Sequence, residues 1–335
     1  MSGNQGPIDP PSGTGMQAAT TQGRKRICIV GSGGYVGSKL YDHFSERHEV
    51  LGVDRHPRKD GKKVVKTTTE IDDKKLQSFD SVIYLGGLTG RRASAENPEK
   101  VYQENIGDIL NLAKRMNKSQ LLIFASTGGI YEGCGNNSAS ENTKINFEQL
   151  DSYSNSLLQR EQALRKLSFS HKNAPQLIGL RFGTIAGRSA GQRVDLVPMV
   201  LVRSAHKTGV INVIRGETNR AFLALEDLLR AYEAIVNNAK SKGLQRFDVF
   251  NLASFNGDIR SVAREVALQM EAQILEKKTP GAQQESKGFT MDATKFQKTF
   301  GFEFTLDLRQ VVSDIVDNIP ESITPKGTHS LKEDL

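Results

Sequence analysis

Ile27-Cys28-Ile29-Val30-Gly31-Ser32-Gly33-Gly34-Tyr35-Val36-Gly37 decides the fold. Four consecutive apolar residues read as a short strand buried on both faces, the pattern of a parallel sheet covered by helices. Gly31, Gly34 and Gly37 then recur at intervals of three, and an amphipathic helical stretch occupies 35–47. A strand that passes through a glycine turn into a helix brings backbone N–H groups and the positive end of the helix to one point, where a pyrophosphate can be held. The first glycines allow a tight turn and close approach of the ligand, and the last lets helix and strand pack closely. Asp54 ends the second strand, 49–53, and stands 17 positions after Gly37 (54 minus 37). An acidic residue about 20 positions on is the expected partner of an adenosine ribose. Glycines that serve only a tight turn are the other reading. On the first reading Gly31, Gly34, Tyr35, Val36 and Gly37 cradle a dinucleotide. Asp54 favours NAD, because its charge repels a 2′-phosphate. Arg55 and Arg58 follow at once and keep NADP open as the alternative.

Outward from this turn the chain alternates apolar runs with amphipathic stretches. A weak third strand falls at 64–67, a fourth at 81–85, a fifth at 120–125 and a sixth at 176–182, with helices at about 98–116 and 153–167 between them. That rhythm predicts an α/β fold, a doubly wound parallel (Rossmann) sheet. After Gly187 the rhythm changes. Helices near 196–206, 226–239, 259–270 and 306–317 are separated by short strands at 210–214 and 249–252. These predict a smaller α+β lobe. The expected organisation is a disordered tail at 1–23, a dinucleotide-binding domain at 24–187, a substrate lobe at 188–320 interwoven with the first, and a flexible tail at 321–335.

Composition narrows the class. The 335 residues are 37% hydrophobic and 25% charged, the balance of a globular protein with a sizeable core. No apolar run is long enough for a membrane span. Residues 1–23 lack both an apolar signal core and transit-peptide arginine spacing, so a cytoplasmic location is expected. Cys28 and Cys134 have neither disulfide-framework nor metal-ligand spacing, and the six scattered histidines form no metal set. The net charge of +7 gathers at 24–26 and from Arg55 to Lys66. It reads as a solvated loop or an anion site. Nucleic acid is not expected, because no aromatic residues are interleaved with the charges.

Several further stretches, in order, carry a resemblance. Val50-Leu51-Gly52-Val53-Asp54, Asp80-Ser81-Val82-Ile83-Tyr84-Leu85-Gly86-Gly87, Asn105 within Glu104-Asn105-Ile106-Gly107, Phe124-Ala125-Ser126-Thr127-Gly128-Gly129-Ile130-Tyr131, Leu180-Arg181-Phe182-Gly183 and Arg220-Ala221-Phe222-Leu223-Ala224-Leu225-Glu226-Asp227 join the glycine turn. Together they resemble the extended short-chain dehydrogenases/reductases, in particular the NAD-dependent epimerase/dehydratase group that works mostly on nucleotide sugars. The resemblance spans about 26–319. It implies that Arg55, Gly86, Gly87 and Asn105 also serve the cofactor and that Thr127 is the catalytic hydroxyl. It gives Tyr153 the role of catalytic tyrosine and Arg220 that of meeting a substrate diphosphate. It also implies a homodimer through the helices at 101–116 and 153–167, whose mixed apolar and polar character suits a monomer equally. Two departures stand out. The family more often has alanines at 86 and 87. Its Tyr-x-x-x-Lys reads here Tyr153-Ser154-Asn155-Ser156-Leu157.

Position 157 lies one helical turn from Tyr153, on the same face. In the family that the chain resembles, a lysine there lowers the tyrosine pKa and holds the nicotinamide ribose; leucine can only pack. Arg160, two turns from Tyr153, is expected to face solvent, with a guanidinium reaching back as the alternative. Arg220 has a competing reading as a surface arginine paired with Glu217 or Glu226. Two functions follow from the sequence. One is an NAD-dependent epimerase, dehydratase or reductase acting on a nucleotide sugar or related hydroxyl compound through Thr127 and Tyr153. The other is an impaired NAD-binding relative with a structural or regulatory role.

Overall fold

The computed structural model describes residues 23–58, 61–89, 96–134, 138–277 and 288–319. Nearly all of the expected tails, 1–22 and 320–335, lies outside the described residues. Six strands form one sheet: β1 (Arg26–Val30), β2 (Glu49–Val53), β3 (Ser81–Tyr84), β4 (Leu121–Thr127), β5 (Gln176–Phe182) and β9 (Phe247–Leu252). Their order is β2-β1-β3-β4-β5-β9, and every pairing is parallel. Alternation along each strand feeds two cores. Ile27, Ile29, Leu121, Ile123, Ile178 and Leu180 enter one face, whereas Cys28, Val30, Leu122, Phe124 and Leu177 enter the other. A period of two on strands apolar on both sides requires cover on both sides. Helix α1 (Tyr35–Ser45) covers the first face, and α4 (Asp108–Arg115) and α5 (Ser152–Ser170) the second. The short helices α2 (Asp73–Leu76) and α3 (Pro98–Tyr102) complete this half.

Three local expectations are corrected. The strand expected at 64–67 is reduced to a single parallel bridge between Val53 and Val65. Lys62, Lys63, Lys66 and Thr67 leave only two apolar residues there to hold it in place. The helix expected over 98–116 is interrupted by a π-helical turn, Gln103–Gly107, that buries Glu104, Asn105 and Ile106. Such turns inside helices often mark functional sites. The strand at 249–252, assigned to the smaller lobe, is instead part of β9 and pairs with β5 in the main sheet.

Helix α7 (Leu225–Asn238) returns to the sheet in the same way. Leu228, Leu229, Tyr232 and Ile235 pack into the core that holds Ile27, Ile29 and Leu40. The remaining elements build the smaller lobe. In a three-stranded sheet, β8 (Asn219–Ala224) pairs antiparallel with β10 (Phe255–Asp258) and parallel with β6 (Thr184–Ala186). A pair is formed by β7 (Val210–Ile214) with β11 (Gln273–Lys277). Helices α6 (Val197–Thr208), α8 (Ile259–Met270) and α10 (Leu308–Val316) share a core with Phe222, Ile211 and Val213. Helix α9 (Thr294–Phe300) lies against β9 through Phe250, Phe296 and Phe300.

The strand order reverses direction at β1, between β2 and β3. Loops leaving β1 and β3 therefore diverge and open a crevice at the carboxyl ends of the strands, where doubly wound folds bind ligands. Among the described residues no helix is long and apolar enough to cross a membrane.

Candidate active site

The turn after β1 is closed by its own backbone. Gly31 N–H donates to the Val53 carbonyl at 2.8 Å and Gly34 N–H to the Gly31 carbonyl at 3.1 Å. A Cβ on Gly37 would stand 1.9 Å from the Gly31 oxygen, so helix α1 can sit this close to the turn only with glycine there. Asp54 is aimed at the turn. Its carboxylate accepts the Gly33 N–H at 2.8 Å and the His56 N–H at 3.0 Å. Arg55 forms a two-pronged ion pair with Glu104 of the π-helical turn, at 2.6 and 3.0 Å. Arg58 is buried, contrary to the reading of the basic segment as a solvated loop. It donates to the Ser32 carbonyl and to Asp42, and its guanidinium lies over the Tyr41 ring at 4.2 Å. The two arginines that kept a 2′-phosphate open are thus turned to protein partners.

One cavity of about 1050 Å³ runs from this turn to the smaller lobe. Gly31, Gly34, Tyr35, Val36, Gly37, Asp54 and Arg55 line one end. Gly86 and Gly87 line the middle, with Thr127 and Tyr153 beside them, and Arg220 and Phe289 line the far end. Asn105 lies beneath the cavity, fully buried, and donates to Ser156 Oγ at 2.8 Å. Thr127 ends β4, and its Oγ1 accepts the Gly129 N–H at 3.0 Å, which leaves the hydroxyl hydrogen to donate elsewhere. Tyr153 stands in the first turn of α5, whose N-cap Asp151 accepts the Ser154 N–H at 2.7 Å. Burial pushes the Tyr153 phenol pKa up. Arg160 and then Arg193 pull it partly back, and Asp151 adds to the rise. Leu157 is packed at 3% exposure.

Below the site, Glu161 and Arg181 form a buried ion pair with contacts at 2.7 and 3.0 Å. Ser126 Oγ donates to Glu161 at 2.5 Å, and Arg181 donates to Tyr131 Oη, which in turn donates to Asn251. The network links β4, β5, β9 and α5 under the ends that carry Thr127 and Tyr153.

The solvent-facing reading of Arg160 and the competing surface reading of Arg220 are both overturned. Arg160 does not face solvent: it is 2% exposed and donates to the carbonyls of Asn105, Ala125 and Gly86 at 2.5, 2.9 and 3.0 Å. Arg220 pairs with Glu132 at 3.4 Å and lies over the Phe289 ring, whereas Glu217 pairs with Arg260 and Glu226 with Lys39. Arg193 was missed. It lines the cavity and pairs with Asp195, also on the wall. The glycine at 87, where the family more often has alanine, now has a cause. A Cβ there would lie 2.2 Å from Asn105 Oδ1 and 2.9 Å from Arg160 Nη2, and its φ is +130°.

Comparison with known proteins agrees with the fold. UDP-glucose 4-epimerase of Mycoplasma genitalium is 23% identical over 328 residues, covering 87% of this chain and 95% of that protein. Among solved structures, UDP-glucuronic acid 4-epimerase from Bacillus cereus, in complex with UDP-glucuronic acid and NAD, superposes with a TM-score of 0.74. It is 18% identical and covers 87% of this chain and 98% of that one. RMD from Pseudomonas aeruginosa, complexed with NADPH, gives 0.69 at 18% identity, covering 88% and 98%. The family profile itself matches residues 27–253, more than half of the chain. The chain therefore belongs to the NAD-dependent epimerase/dehydratase family.

Proposed function

We propose that this protein binds NAD and carries out a hydride-transfer reaction, epimerisation or dehydration, on a nucleotide-diphospho-sugar. The observation that carries the reading is the single continuous cavity. At about 1050 Å³ it reaches the top of the usual 300–1,000 Å³ range for one small ligand. It joins a phosphate-cradling glycine turn to a hydroxyl, a phenol and an arginine. The residues fit the cofactor. The turn at Gly31–Gly37 offers backbone N–H groups and the helix α1 N-terminus to a pyrophosphate. Asp54 is already oriented by two N–H donors, with oxygen lone pairs left for ribose hydroxyls.

Bound NAD supplies the hydride acceptor and a positive ring charge. The chain supplies the rest. Thr127 donates its hydroxyl hydrogen to the reacting sugar oxygen, since its own oxygen is held by the Gly129 N–H. Tyr153 takes the proton from that sugar hydroxyl as the C–H bond breaks, and returns it when the carbonyl is reduced. Arg220 meets the diphosphate at the far end, exchanging its long contact with Glu132 for a shorter one to phosphate oxygens. NAD is preferred over NADP because Asp54 repels a 2′-phosphate while Arg55 and Arg58 are committed elsewhere. An impaired relative is the weaker reading, because the cavity stays open between the turn and Arg220.

Two substitutions test this. Asp54→Ala is expected to weaken NAD binding by ten- to a hundredfold, the about 1.5–3 kcal/mol of hydrogen bonds to a charged group. It should also narrow the preference over NADP. Calorimetry with both dinucleotides measures it, and unchanged affinities would remove Asp54 from the site. Arg220→Ala is expected to raise the KM for a UDP-hexose by about tenfold or more with little change in kcat, since a phosphate contact remote from the reacting carbon is made equally in ground and transition states. A drop in kcat alone would contradict the assignment.

A further inference from the structure

Arg160 sits in a peculiar place for a cation. At 2% exposure it is the largest fully buried side chain among the described residues. Its three partners are backbone carbonyls from three different elements: Gly86 after β3, Ala125 in β4 and Asn105 in the π-helical turn. Its neighbour Glu161 is committed to Arg181. The guanidinium is therefore solvated by carbonyl dipoles, with the Tyr84 ring 5.4 Å from its carbon. Arginine keeps its proton in proteins, so a full positive charge lies under the cavity floor made by Gly86 and Gly87. Burying such a charge without a carboxylate is costly. The chain has made room for it, because Gly87 has no side chain where Nη2 and Asn105 stand.

Position 157 offers no charge. Tyr153 and Arg160, seven residues apart on α5, share a face of that helix. We propose that Arg160 is the positioning cation of this active site: from beneath the floor, it supplies the positive charge that eases ionisation of Tyr153, and through its bond to the Gly86 carbonyl it fixes the loop on which the nicotinamide end of the cofactor rests. The idea rests on the function proposed above, with Tyr153 as the proton carrier. Among the described residues, the charged groups that act on Tyr153 are Arg160 on its own helix, Arg193 on the cavity wall and Asp151 at the helix N-cap. Of the two cations Arg160 acts more strongly on the phenol. It is also the one not neutralised by a carboxylate, since Arg193 pairs with Asp195.

The test is the titration of Tyr153 in the cofactor-free protein, read by ultraviolet difference spectra against the same protein carrying Tyr153→Phe. Arg160→Gln keeps donors for two of the carbonyls and removes the charge. Its Tyr153 midpoint is expected to rise by about one pH unit, the low end of the effect of a nearby charge. Arg160→Lys is expected to leave the midpoint near that of the wild type, and Arg160→Gln combined with Leu157→Lys to bring it back down. A folded Arg160→Gln protein with an unmoved midpoint overturns the proposal. Should Arg160→Gln fail to fold, Arg160→Lys decides. An unmoved midpoint with turnover within about tenfold of wild type supports a role for the charge, as one tenfold step is about 1.4 kcal/mol. An unmoved midpoint with turnover lost means that the three carbonyl contacts matter and the charge does not. Because no cofactor or sugar is present in the titration, its outcome stands apart from whether NAD binds, which calorimetry on the wild type decides separately.

Discussion

Tyr153→Phe is expected to lower kcat on a nucleotide-diphospho-sugar by about 10²–10⁴, the usual worth of a positioned proton carrier, and to leave the Kd for NAD unchanged. The loss should fall on kcat and kcat/KM alike, because the phenol proton is needed only as the sugar hydroxyl loses or regains its own. The structure gives the reason for choosing this residue. Tyr153 lines the cavity beside Thr127 and the Gly86–Gly87 floor, and its ionisation is opposed by burial and helped by two arginines. Burial has the larger effect in the cofactor-free protein and keeps Tyr153 neutral there; with NAD bound, the positive ring charge would add to that of the two arginines and ease loss of the phenol proton, so that Tyr153 can take the sugar's. Stopped-flow or product-based kinetics measure the effect. Wild-type turnover in the phenylalanine variant would take proton transfer away from Tyr153 and leave Thr127 or a water to perform it.

The second large effect concerns stability. Arg181→Met removes one half of the buried pair with Glu161 and leaves the carboxylate with the Ser126 hydroxyl as its remaining donor. An unpaired buried charge of this kind costs about 3–5 kcal/mol, which for a domain of this size lowers Tm by on the order of 10 °C. The double replacement Arg181→Met with Glu161→Leu should recover much of that loss, because two apolar groups leave no orphan charge. Thermal unfolding of the two proteins measures it. Equal destabilisation in the single and double variants would mean that the pair acts through packing. The network also holds Tyr131 and Asn251, so the single variant should disturb the join between β5 and β9.

What could be read in the sequence and what could not divides along a physical line. Strands such as Ile27–Val30 and Leu121–Phe124 are apolar on both faces, and that pattern has few structural solutions besides a covered parallel sheet. The glycine turn was legible because each glycine meets a local demand, as the clash at Gly37 shows. By contrast, β9 lies 65 positions beyond the end of β5 (247 minus 182), and nothing local in Phe247–Leu252 says which sheet edge it will join. Arg160 was misread for the same reason. The helical period puts it on the face of Tyr153, but the carbonyls that hold it come from Gly86, Ala125 and Asn105, distant in sequence. The one local hint was the glycine at 87, whose cause is visible only once the guanidinium is in place. The motif around Arg220 singled that residue out, and it lines the cavity, whereas its partner Glu132 sits 88 positions away.

Hydride transfer on a nucleotide sugar in this cavity is tested by the near-ultraviolet absorbance of the bound nicotinamide. NAD-loaded protein is mixed with UDP- and dTDP-hexoses in turn, and the spectrum is followed while the sugars are recovered and examined by NMR. At least one sugar is expected to produce the absorbance of reduced nicotinamide or to emerge changed at a ring carbon, and Tyr153→Phe is expected to abolish both. A sugar that binds, with affinity that falls in Arg220→Ala, yet leaves the nicotinamide oxidised and is itself recovered unchanged would contradict hydride transfer in this cavity.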